Sequence, residues 1–445
     1  MKLFYENKES KVETYTYHES CPICEELLIK AGGEPVQIYK TNVAYFACIS
    51  FEGSIEVSVE AQIPIQDGVV KPQSRKIDAL IRENWMVFTL TKPANLSIEM
   101  KGMLPLFFFA NPLESEIASP SDPNVYYFHS GEVYEVGELR LKDNQTVYIE
   151  GGAVVRGCIR AEEAENVKIC GRGILDGSCY KKGINQRRTM LFDTCRKVEI
   201  QDVILIEPST WMVVLGNCSD VIITNLKEIG EVMSSDGIDI VGSRDVTIRG
   251  CFLRNNDDCI VLKATEAVVR EVDPHRDWTA PVENIWVEDC VLVNDRCGNA
   301  LEIGYELQTE RVRNVVFKNC DILCVHGHGA AFSIHNGDRA TVSNILYENI
   351  RVEHFFDKLI DFRVLNSRYN KDKERGQIRN IRFKDIYVTT NYANAGHSIS
   401  LMGGYNPHHT IEGVIIENFN LDDTRIENAD QLDLYLKNAH GIEFR

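Results

Sequence analysis

The 445-residue sequence predicts an all-β protein, a right-handed parallel β-helix that follows a small N-terminal β-sandwich-like domain. Two observations predict this fold. A strand-like pattern recurs nine times from Asn166 onward, whereas about the first 110 residues lack it and alternate apolar and polar side chains in short runs. Sequence repeats of this length indicate one structural unit stacked on copies of itself.

Each repeat starts with a small or polar residue, then a β-branched residue, any residue and an apolar residue, as in "NVKICGRGIL" and "DVTIRGCFL". The first β-branched positions are Val167, Val198, Val221, Val246, Ile285, Val315, Ile345, Ile381 and Val414, spaced by 31, 23, 25, 39, 30, 30, 36 and 33 residues. The two-residue alternation predicts strands, and the Asn, Asp and Gly between units predict turns. A propeller blade needs four strands in about 40–50 residues, so one β-helix coil per repeat fits better.

The cysteines predict packing and not metal binding. In "CPIC", the pair Cys21 and Cys24 has no second pair or histidines nearby, so we expect a structural role. A buried free cysteine behaves as a small hydrophobe, so cysteines at equivalent repeat positions predict an interior ladder. The pattern places four there: Cys170, Cys251, Cys290 and Cys320.

Two domains are predicted, residues 1–112 and residues 113–445. In the first, segments such as "NVAYFACISF" and "SIEVSVEAQI" alternate and Gly, Pro and Asn punctuate them, which indicates a small antiparallel β-sandwich. The segment "NPLESEIASPSDPN", with three prolines, is the predicted connection into the β-helix. The β-helix is the predicted catalytic domain.

Charge and hydropathy exclude several partners. The formal net charge of −18 argues against nucleic acid or an anionic membrane as the main partner. The sequence contains no run of 18 or more apolar residues, so no membrane span is expected. The N-terminal "MKLFYENKESKVETYTYHES" has no apolar core of a secretory signal, so we expect a cytoplasmic protein whose fourteen cysteines are reduced. The sequence does not indicate an oligomeric state.

Three aspartates stand out in "SSDGIDIVGSRDVTIRGCFLRNNDDCIVLKA", namely Asp236, Asp257 and Asp258. Asp257 follows Asp236 by 21 residues, about one coil, so the three carboxylates should converge. Like charges so close raise at least one pKa. An acid beside an ionised carboxylate suits glycosidic cleavage, in which one group protonates the leaving oxygen and another activates water. The alternative is that acids at coil turns face solvent or bind calcium.

A family resemblance rests on these motifs. "SSDGIDI" followed by "NNDDCIVLK" resembles the paired aspartate signatures of glycoside hydrolase family 28, the polygalacturonase family, and "TVYIEGGAVVRG" resembles a preceding coil. The similarity covers roughly residues 120–350 and implies a β-helix that hydrolyses with inversion. By motif, Asp257 resembles the general acid, and Asp236 and Asp258 resemble the pair that holds and deprotonates the water. The family 49 dextranases, with a similar sandwich and three comparable aspartates, are more distantly similar.

The sequence departs from the family at two signatures. Asn299 stands where the family has the histidine of Gly-His-Gly, and Ser333, Ile334 and His335 stand where it has Arg-Ile-Lys. Without that Arg/Lys fork, bidentate recognition of a uronic acid is lost. We therefore expect a family relative that acts on another sugar, exo-acting on a short and possibly neutral oligosaccharide. No cofactor and no metal are expected.

Several further residues are candidates for contacting the carbohydrate substrate. Lys263 could hold the charge of the aspartates or a sugar hydroxyl, and Trp211 could stack on a sugar ring or simply pack. His326 lies on the same coil as His328. The predicted substrate-binding set is Lys263, Asn299, Glu302, Tyr305, His328, His335 and Trp211.

Other functions stay open at this point. One is a pectin hydrolase of the polygalacturonase or rhamnogalacturonan type. Another is a β-helix lyase or epimerase on an acidic polysaccharide, which would need a base with calcium or an arginine cluster. The third is a non-catalytic carbohydrate-binding β-helix, against which the retention of all three aspartates argues.

Overall fold

The computed structural model describes residues 10–267, 276–390 and 398–445. The N-terminal strands and a 3-10 helix at Gln73–Arg75 precede the β-helix. These strands are β1 (Lys11–Thr14), β2 (Leu27–Ala31), β3 (Glu34–Val36), β4 (Ile38–Lys40), β5 (Tyr45–Glu52), β6 (Ile55–Ala61), β7 (Gly68–Lys71), β8 (Leu80–Arg82), β9 (Trp85–Leu90), β10 (Ala94–Met100) and β11 (Leu106–Pro112).

Two sheets pack face to face over one apolar core. One has the order β1-β5-β11-β10-β7, with β4 also on β5, and the other has the order β3-β2-β6-β9-β8. The pair β5 and β11 is parallel, with Tyr45 opposite Leu106, which differs from the antiparallel arrangement expected. A parallel pair needs a long crossover, and the connection from β5 to β11 supplies one by passing through the second sheet.

The β-helix begins at Val125 and includes a second 3-10 helix, Asp430–Leu432. Its strands are β12 (Val125–Phe128), β13 (Val133–Leu141), β14 (Thr146–Ile149), β15 (Val154–Glu162), β16 (Glu165–Cys170), β17 (Ile174–Asp176), β18 (Met190–Asp193), β19 (Arg196–Gln201), β20 (Ile204–Ile206), β21 (Val213–Gly216), β22 (Ser219–Thr224), β23 (Lys227–Ile229), β24 (Ile238–Val241), β25 (Arg244–Arg249), β26 (Phe252–Asn255), β27 (Ile260–Ala267), β28 (Arg276–Trp278), β29 (Val282–Glu288), β30 (Val291–Asn294), β31 (Leu301–Leu307), β32 (Arg311–Lys318), β33 (Asp321–Val325), β34 (Ala330–Asn336), β35 (Thr341–Val352), β36 (Lys358–Val364), β37 (Gln377–Val388), β38 (Ser400–Gly403), β39 (Ile411–Leu421), β40 (Thr424–Arg425), β41 (Leu434–Lys437) and β42 (Ala439–Phe444).

Strands of successive coils pair in parallel along three rows, so the predicted parallel β-helix is confirmed. The first row contains β14, β16, β19, β22, β25, β29, β32, β35, β37, β39 and β42; the second contains β17, β20, β23, β26, β30 and β33. The third row contains β18, β21, β24, β27, β31, β34, β36, β38 and β41. The β-branched positions of the repeat lie in register, since Val198 faces Val221 and Val221 faces Val246.

The cysteine ladder is confirmed for three of its four members. Cys251, Cys290 and Cys320 are buried in the core, and each donates its thiol to the backbone carbonyl two residues before it. Cys170 does not belong to the ladder. It directly follows Ile169, whereas Cys251 lies three residues after the register-equivalent isoleucine, so the two occupy different positions in the coil.

An asparagine ladder marks one corner of the later coils. Four asparagines in register, Asn284, Asn314, Asn344 and Asn380, adopt left-handed φ angles between 56° and 59°. Each of the last three donates its side-chain amide to the asparagine of the preceding coil, at 3.2, 3.3 and 3.5 Å. Asparagine tolerates this backbone conformation and bonds locally, so it fits both demands of the turn.

The sandwich packs against the outside of the second row. Phe107 and Phe109 contact Phe252 with ring centroids 4.7 and 5.4 Å apart. Beside them the fully buried Lys227 donates to Asn111 Oδ1 at 2.7 Å. The two parts of the chain therefore share an apolar and polar interface. Cys21 is buried in this interface and Cys24 in the sandwich core.

In the described ranges, no helix is long and apolar enough to cross a lipid bilayer.

Candidate active site

The outer face of the third row presents polar side chains at the middle coils. Ile240, Leu262 and Ile303 point into the core of the β-helix. Side chains alternate along a strand, so their neighbours Asp239, Lys263 and Glu302 project from the opposite, outer face. Charged residues in these otherwise apolar strands define the candidate site.

The three predicted aspartates come together at the start of β24 and β27. One carboxylate oxygen from each of Asp236, Asp257 and Asp258 lies within 4.8 Å of the other two. The backbone explains the approach, because Gly237 N–H donates to the Asp258 carbonyl at 2.8 Å and so joins the two coils. A separation of about one coil in sequence thus becomes direct proximity.

Asp257 is the partly exposed member of the triad. Its Oδ2 accepts a hydrogen bond from Ser234 N–H at 3.1 Å, and its Oδ1 accepts one from Asp258 N–H at 3.1 Å. Burial, followed by the charge of Asp236, raises the pKa of Asp257 to about 7. A carboxyl with this pKa can hold a proton near neutrality and release it to a leaving group.

Asp258 is buried and is held by the coil that follows it. Asn299 donates to Asp258 Oδ1 twice, and its own Oδ1 accepts from Ala330 N–H at 2.9 Å. Burial and the charges of Asp257 and Glu302 raise the pKa of Asp258 well above its usual value. The proximity of these carboxylates therefore makes the triad a shared proton-binding unit.

Gly298 permits this close approach of coils. It has a φ of +74°, and an added Cβ would lie 2.3 Å from Asp258 N and 2.6 Å from Asp257 Oδ1. Any side chain at this position would displace the two catalytic candidates, so glycine is required by both space and backbone conformation.

Lys263 joins the triad to the floor of the site. Its buried ammonium forms ion pairs with Asp236 at 2.7 Å and with Asp239 at 2.8 Å. It also lies 4.0 Å from the ring centroid of Trp211, which is within the range of a cation–π contact. Burial raises the pKa of Asp239 to about 8 despite the opposing effect of Lys263.

A second cluster continues the site along the third row. His335 lies between two carboxylates, with Nδ1 2.9 Å from Glu302 Oε1 and Nε2 3.2 Å from Asp361 Oδ2. Burial lowers the pKa of His335, but the charge of Glu302 and the bonds to Asp361 outweigh it and raise the pKa to about 9. Arg363 pairs with Asp361, and Tyr305 stacks on His335 at 4.3 Å. His335 is thus held between two carboxylates, and Arg363 Nη2 lies 3.1 Å from its Nε2.

Beyond Arg363 the outer face opens into a cavity of about 330 Å³. Its lining includes Asn366, Tyr405, Tyr435 and Lys437, and the two tyrosines are substantially exposed. Exposed aromatic rings beside hydrogen-bonding groups are suited to a sugar ring. The row could therefore hold more than one sugar unit.

The structure separates some of the predicted binding residues from the site. His328 is 90% exposed, with its nearest charged partner Asp357 at 3.7 Å. Ser333 is buried and donates its hydroxyl to the Leu301 carbonyl at 3.1 Å. His326 contacts His354 instead of the aspartates. Of the predicted binding set, Lys263, Asn299, Glu302, Tyr305, His335 and Trp211 line the triad or the second cluster.

Three residues of these clusters were not singled out from the sequence: Asp239, Asp361 and Arg363. Each lies on an outer position of a third-row strand, in "IDIV" or "LIDFRV". A charged residue at alternate positions within an apolar strand of a repeat was the available signal. This signal becomes recognisable only when the inward and outward faces of each coil are known.

The triad has the donor set of a divalent-cation site, since three carboxylate oxygens converge. Lys263 already places a positive charge against Asp236 and Asp239, which compensates the negative charge of this group. The chemistry that the geometry supports is proton transfer between carboxyl groups and a bound substrate or water.

Sequence comparison identifies the family of this chain. The sequence model of "Glycosyl hydrolases family 28" matches residues 128–431, which is more than half of the chain and includes the triad and the second cluster. The chain belongs to glycoside hydrolase family 28.

One curated relative of this family 28 chain shares part of its sequence. It is 24% identical over 302 residues to a probable polygalacturonase of Arabidopsis thaliana, covering 64% of this chain and 56% of the relative. The chain thus spans little more than half the length of that curated relative.

Two solved structures share the fold of this family 28 chain. The exopolygalacturonase of Thermotoga maritima has a TM-score of 0.57 at 18% identity, covering 72% of this chain and 84% of that one. Dex49A from Penicillium minioluteum has a TM-score of 0.61 at 12% identity, covering 98% and 97%. The second match includes the N-terminal sandwich as well as the β-helix.

Proposed function

We propose that this family 28 chain is an inverting glycoside hydrolase that removes sugars from the end of a short, neutral oligosaccharide. The observation that carries the proposal is the convergence of Asp236, Asp257 and Asp258 within 4.8 Å of one another. Membership of the family supports the reaction class.

In this mechanism Asp257 is the general acid. It is the partly exposed carboxyl, and its pKa of about 7 lets it carry a proton to the glycosidic oxygen. Asp236 and Asp258 hold the nucleophilic water, and the ionised member of this pair accepts its proton as the bond to the anomeric carbon forms. Lys263 keeps Asp236 in place through its ion pair.

Inversion is the step that most needs a direct test. Acid and base of inverting enzymes usually lie about 6.5–9.5 Å apart, whereas the oxygens of this triad lie within 4.8 Å. The family resemblance supports inversion, and the separation alone does not. Proton NMR of the first product anomer distinguishes the two outcomes, because an inverting enzyme releases the opposite anomer from that of its substrate.

The preference for a neutral sugar is supported by the ion pairs that the basic side chains of this face form within the protein. Lys263, His335 and Arg363 each pair with a carboxylate of the protein itself. A uronate in the site would compete with Asp236, Glu302 or Asp361 and would meet their repulsion. Hydroxyl groups, which both donate and accept, fit such mixed acidic and basic surroundings better.

Exo-action is supported by segments that cross beside the acids. Lys182, in the connection between β17 and β18, donates to the hydroxyl of Ser234 at 3.1 Å, next to the backbone that holds Asp257. Tyr369, in the connection after β36, lies 5.3 Å from Tyr305. Both segments restrict the space in which a long polymer could extend.

A galacturonide hydrolase is the second candidate. It is favoured by Arg363, which lies directly beside His335 in the next coil and could turn from Asp361 to a substrate carboxylate. The two candidates differ in the substrate charge that they require.

The deciding experiment measures initial rates on matched neutral and uronic substrates. Purified protein is incubated with aryl α- and β-glycosides, dextran and galactan oligosaccharides, and oligogalacturonides. We expect turnover of a neutral substrate and slow release of galacturonate. Turnover of oligogalacturonides at about 1–10³ s⁻¹, the ordinary range of enzymes on their own substrates, would establish the second candidate instead.

A further inference from the structure

A separate cluster of metal-ligating side chains lies at the junction of β33 with the segment after β35. Cys324 Sγ, a ring nitrogen of His326 and a ring nitrogen of His354 all lie within 4.8 Å of one another. None of the three contacts the aspartate triad in the reaction proposed above. The cluster therefore has no role yet in the chemistry of this chain.

The β-helix places these ligands together by register. Cys324 and His326 are two residues apart in an extended segment and so project from the same face. His354 lies on the next coil, where its carbonyl accepts a hydrogen bond from Val325 N–H at 2.9 Å. Two coils thus supply one thiol and two imidazoles to a single point.

We propose that Cys324, His326 and His354 form a binding site for a thiophilic divalent transition-metal ion, Zn²⁺ in the first instance. One sulfur and two nitrogen ligands are a donor set that Zn²⁺ accepts, with bonds of about 2.3 Å to sulfur and about 2.0–2.1 Å to nitrogen. A solvent molecule fills the fourth position, on the side where His326 is exposed.

The spacing of the ring nitrogens fits an ion after a small adjustment. His326 Nδ1 and His354 Nε2 are 2.7 Å apart and share a hydrogen bond. Tetrahedral bonds to one Zn²⁺ would place two nitrogens about 3.4 Å apart, so each ring moves by less than 1 Å. The ion replaces the shared proton, and binding therefore releases protons and weakens as the pH falls.

The cluster is accessible to an ion. Cys324 is partly exposed and lines a cavity of about 650 Å³ between the sandwich and the β-helix, which Arg254 and Asp295 also line. A bound cation holds its cysteine ligand as the thiolate.

The site is joined to the catalytic candidates through one short turn. Gly327 and Gly329 follow His326 and pack so closely on the preceding coil that an added Cβ would lie 2.5 Å from the Arg296 carbonyl and 1.7 Å from the Gly298 carbonyl. The turn ends at Ala330, whose N–H holds Asn299. A bound ion thus fixes the turn that supports the Asn299–Asp258 contact.

The test uses the full chain, freed of metal with EDTA and then titrated with ZnCl₂ or CoCl₂. We expect about one Zn²⁺ per chain by elemental analysis after dialysis, a higher melting temperature with Zn²⁺, and a thiolate-to-cobalt charge-transfer band in the near ultraviolet with Co²⁺. Loss of a residue that only hydrogen-bonds to a metal ligand lowers metal affinity by about 10–100-fold. His326→Gln and His354→Gln remove ligands themselves, so each should lower the affinity for Zn²⁺ by at least that factor. Cys324→Ser should abolish the charge-transfer band.

Matched controls separate this site from other ligands. His328→Gln and Cys297→Ser change a neighbouring histidine and cysteine outside the cluster and should bind as the unchanged protein does. Asp257→Asn should also keep the bound Zn²⁺. If this variant lost the ion instead, the ion would lie at the aspartates and the proposal would be overturned. A chain that retains no Zn²⁺, or a charge-transfer band that persists in Cys324→Ser with native circular dichroism, would overturn it as well.

Discussion

One oxygen of Asp258 accepts two hydrogen bonds from the same residue, Asn299, at 2.7 Å from its backbone N–H and at 2.9 Å from its side-chain amide. Family 28 has a histidine at this position by the resemblance described above. In this chain a neutral amide thus holds a carboxylate of the triad, and it does so without adding a titrating group.

The first prediction concerns that amide. Asn299→Ala removes the side-chain donor and leaves Asp258 and Ala330 N–H each short of a partner, so the free energy of unfolding should fall by about 1–3 kcal/mol. Asn299→Asp is the matched variant of the same shape. It adds a negative charge beside Asp258 and should be more destabilising than alanine. Urea denaturation of the three proteins measures this order, and a neutral effect of Asn299→Asp would contradict it.

The second prediction concerns the proposed acid. Asp257→Asn keeps the shape but deletes the proton, so kcat/KM should fall by about 10²–10⁴-fold on a substrate with a poor leaving group. An aryl glycoside needs less protonation and should lose less. Asp236→Asn and Asp258→Asn should impair both substrates equally. If Asp257→Asn lowers kcat/KM equally on both substrates while Asp258→Asn spares the aryl glycoside, the roles of Asp257 and Asp258 as acid and base are reversed.

The third prediction is the pH dependence of activity. Asp257 must be protonated to act as an acid, and its pKa is about 7. On the alkaline side, activity should therefore fall as the pH rises through this value, and on the acidic side it should fall once the carboxylate that accepts the proton of the water is itself protonated. The three acids titrate together, so the measured pKa belongs to the triad. Rates on an oligosaccharide with a poor leaving group between pH 4 and 9 test this, and an activity that rises steadily above pH 7 would exclude a protonated acid.

The fourth prediction concerns the buried ammonium of Lys263. Lys263→Met leaves Asp236 and Asp239 buried without their cation, so the loss of stability should reach about 3–5 kcal/mol. Lys30→Met is the control, because Lys30 is exposed on β2 and the same change there should be nearly neutral. Thermal unfolding of both variants compares them. Equal melting temperatures would mean that the two carboxylates are neutral or hydrated when Lys263 is absent.

The fifth prediction follows from His335. Its pKa rises from 6.5 to about 9 on folding, which corresponds to about 3 kcal/mol. Because the folded pKa is the higher one, this stabilisation is fully present below pH 6.5 and is lost as the pH rises through 9. The difference in unfolding free energy between the unchanged protein and His335→Gln should therefore shrink over that window. A difference that stays constant from pH 6 to 9.5 would show that His335 gains no proton affinity on folding.

Much of the fold could be predicted because the β-helix repeats itself. The nine β-branched positions give both the period and the inward face of each coil. Cys170 was misplaced because a local pattern of apolar residues cannot distinguish a position one residue after an isoleucine from one three residues after it. The parallel pair β5 and β11 was missed because pairing between distant strands leaves no trace in local alternation.

The site was predictable where sequence spacing equals one coil. Asp236 and Asp257 satisfy that condition and come together. Asp361 and Arg363 lie three coils after that of Asp257, in a strand that the repeat alignment did not include, so their contact with His335 needed the three-dimensional register. The cluster of Cys324, His326 and His354 escaped for the same reason, since its ligands share no short motif.

The asparagine ladder has a consequence for how this scaffold can be altered. The later coils that carry Asn284, Asn314, Asn344 and Asn380 are each joined to the next at this corner. The length of the chain segment between two of these asparagines therefore does not set the position of the strands. Neighbouring coils show this, since their spacings are 30 and 36 residues. Between these corners, rim segments that do not touch the triad can be lengthened, shortened or exchanged as separate modules. The later coils thus offer places where the surface of the chain can change without moving the strands beneath it.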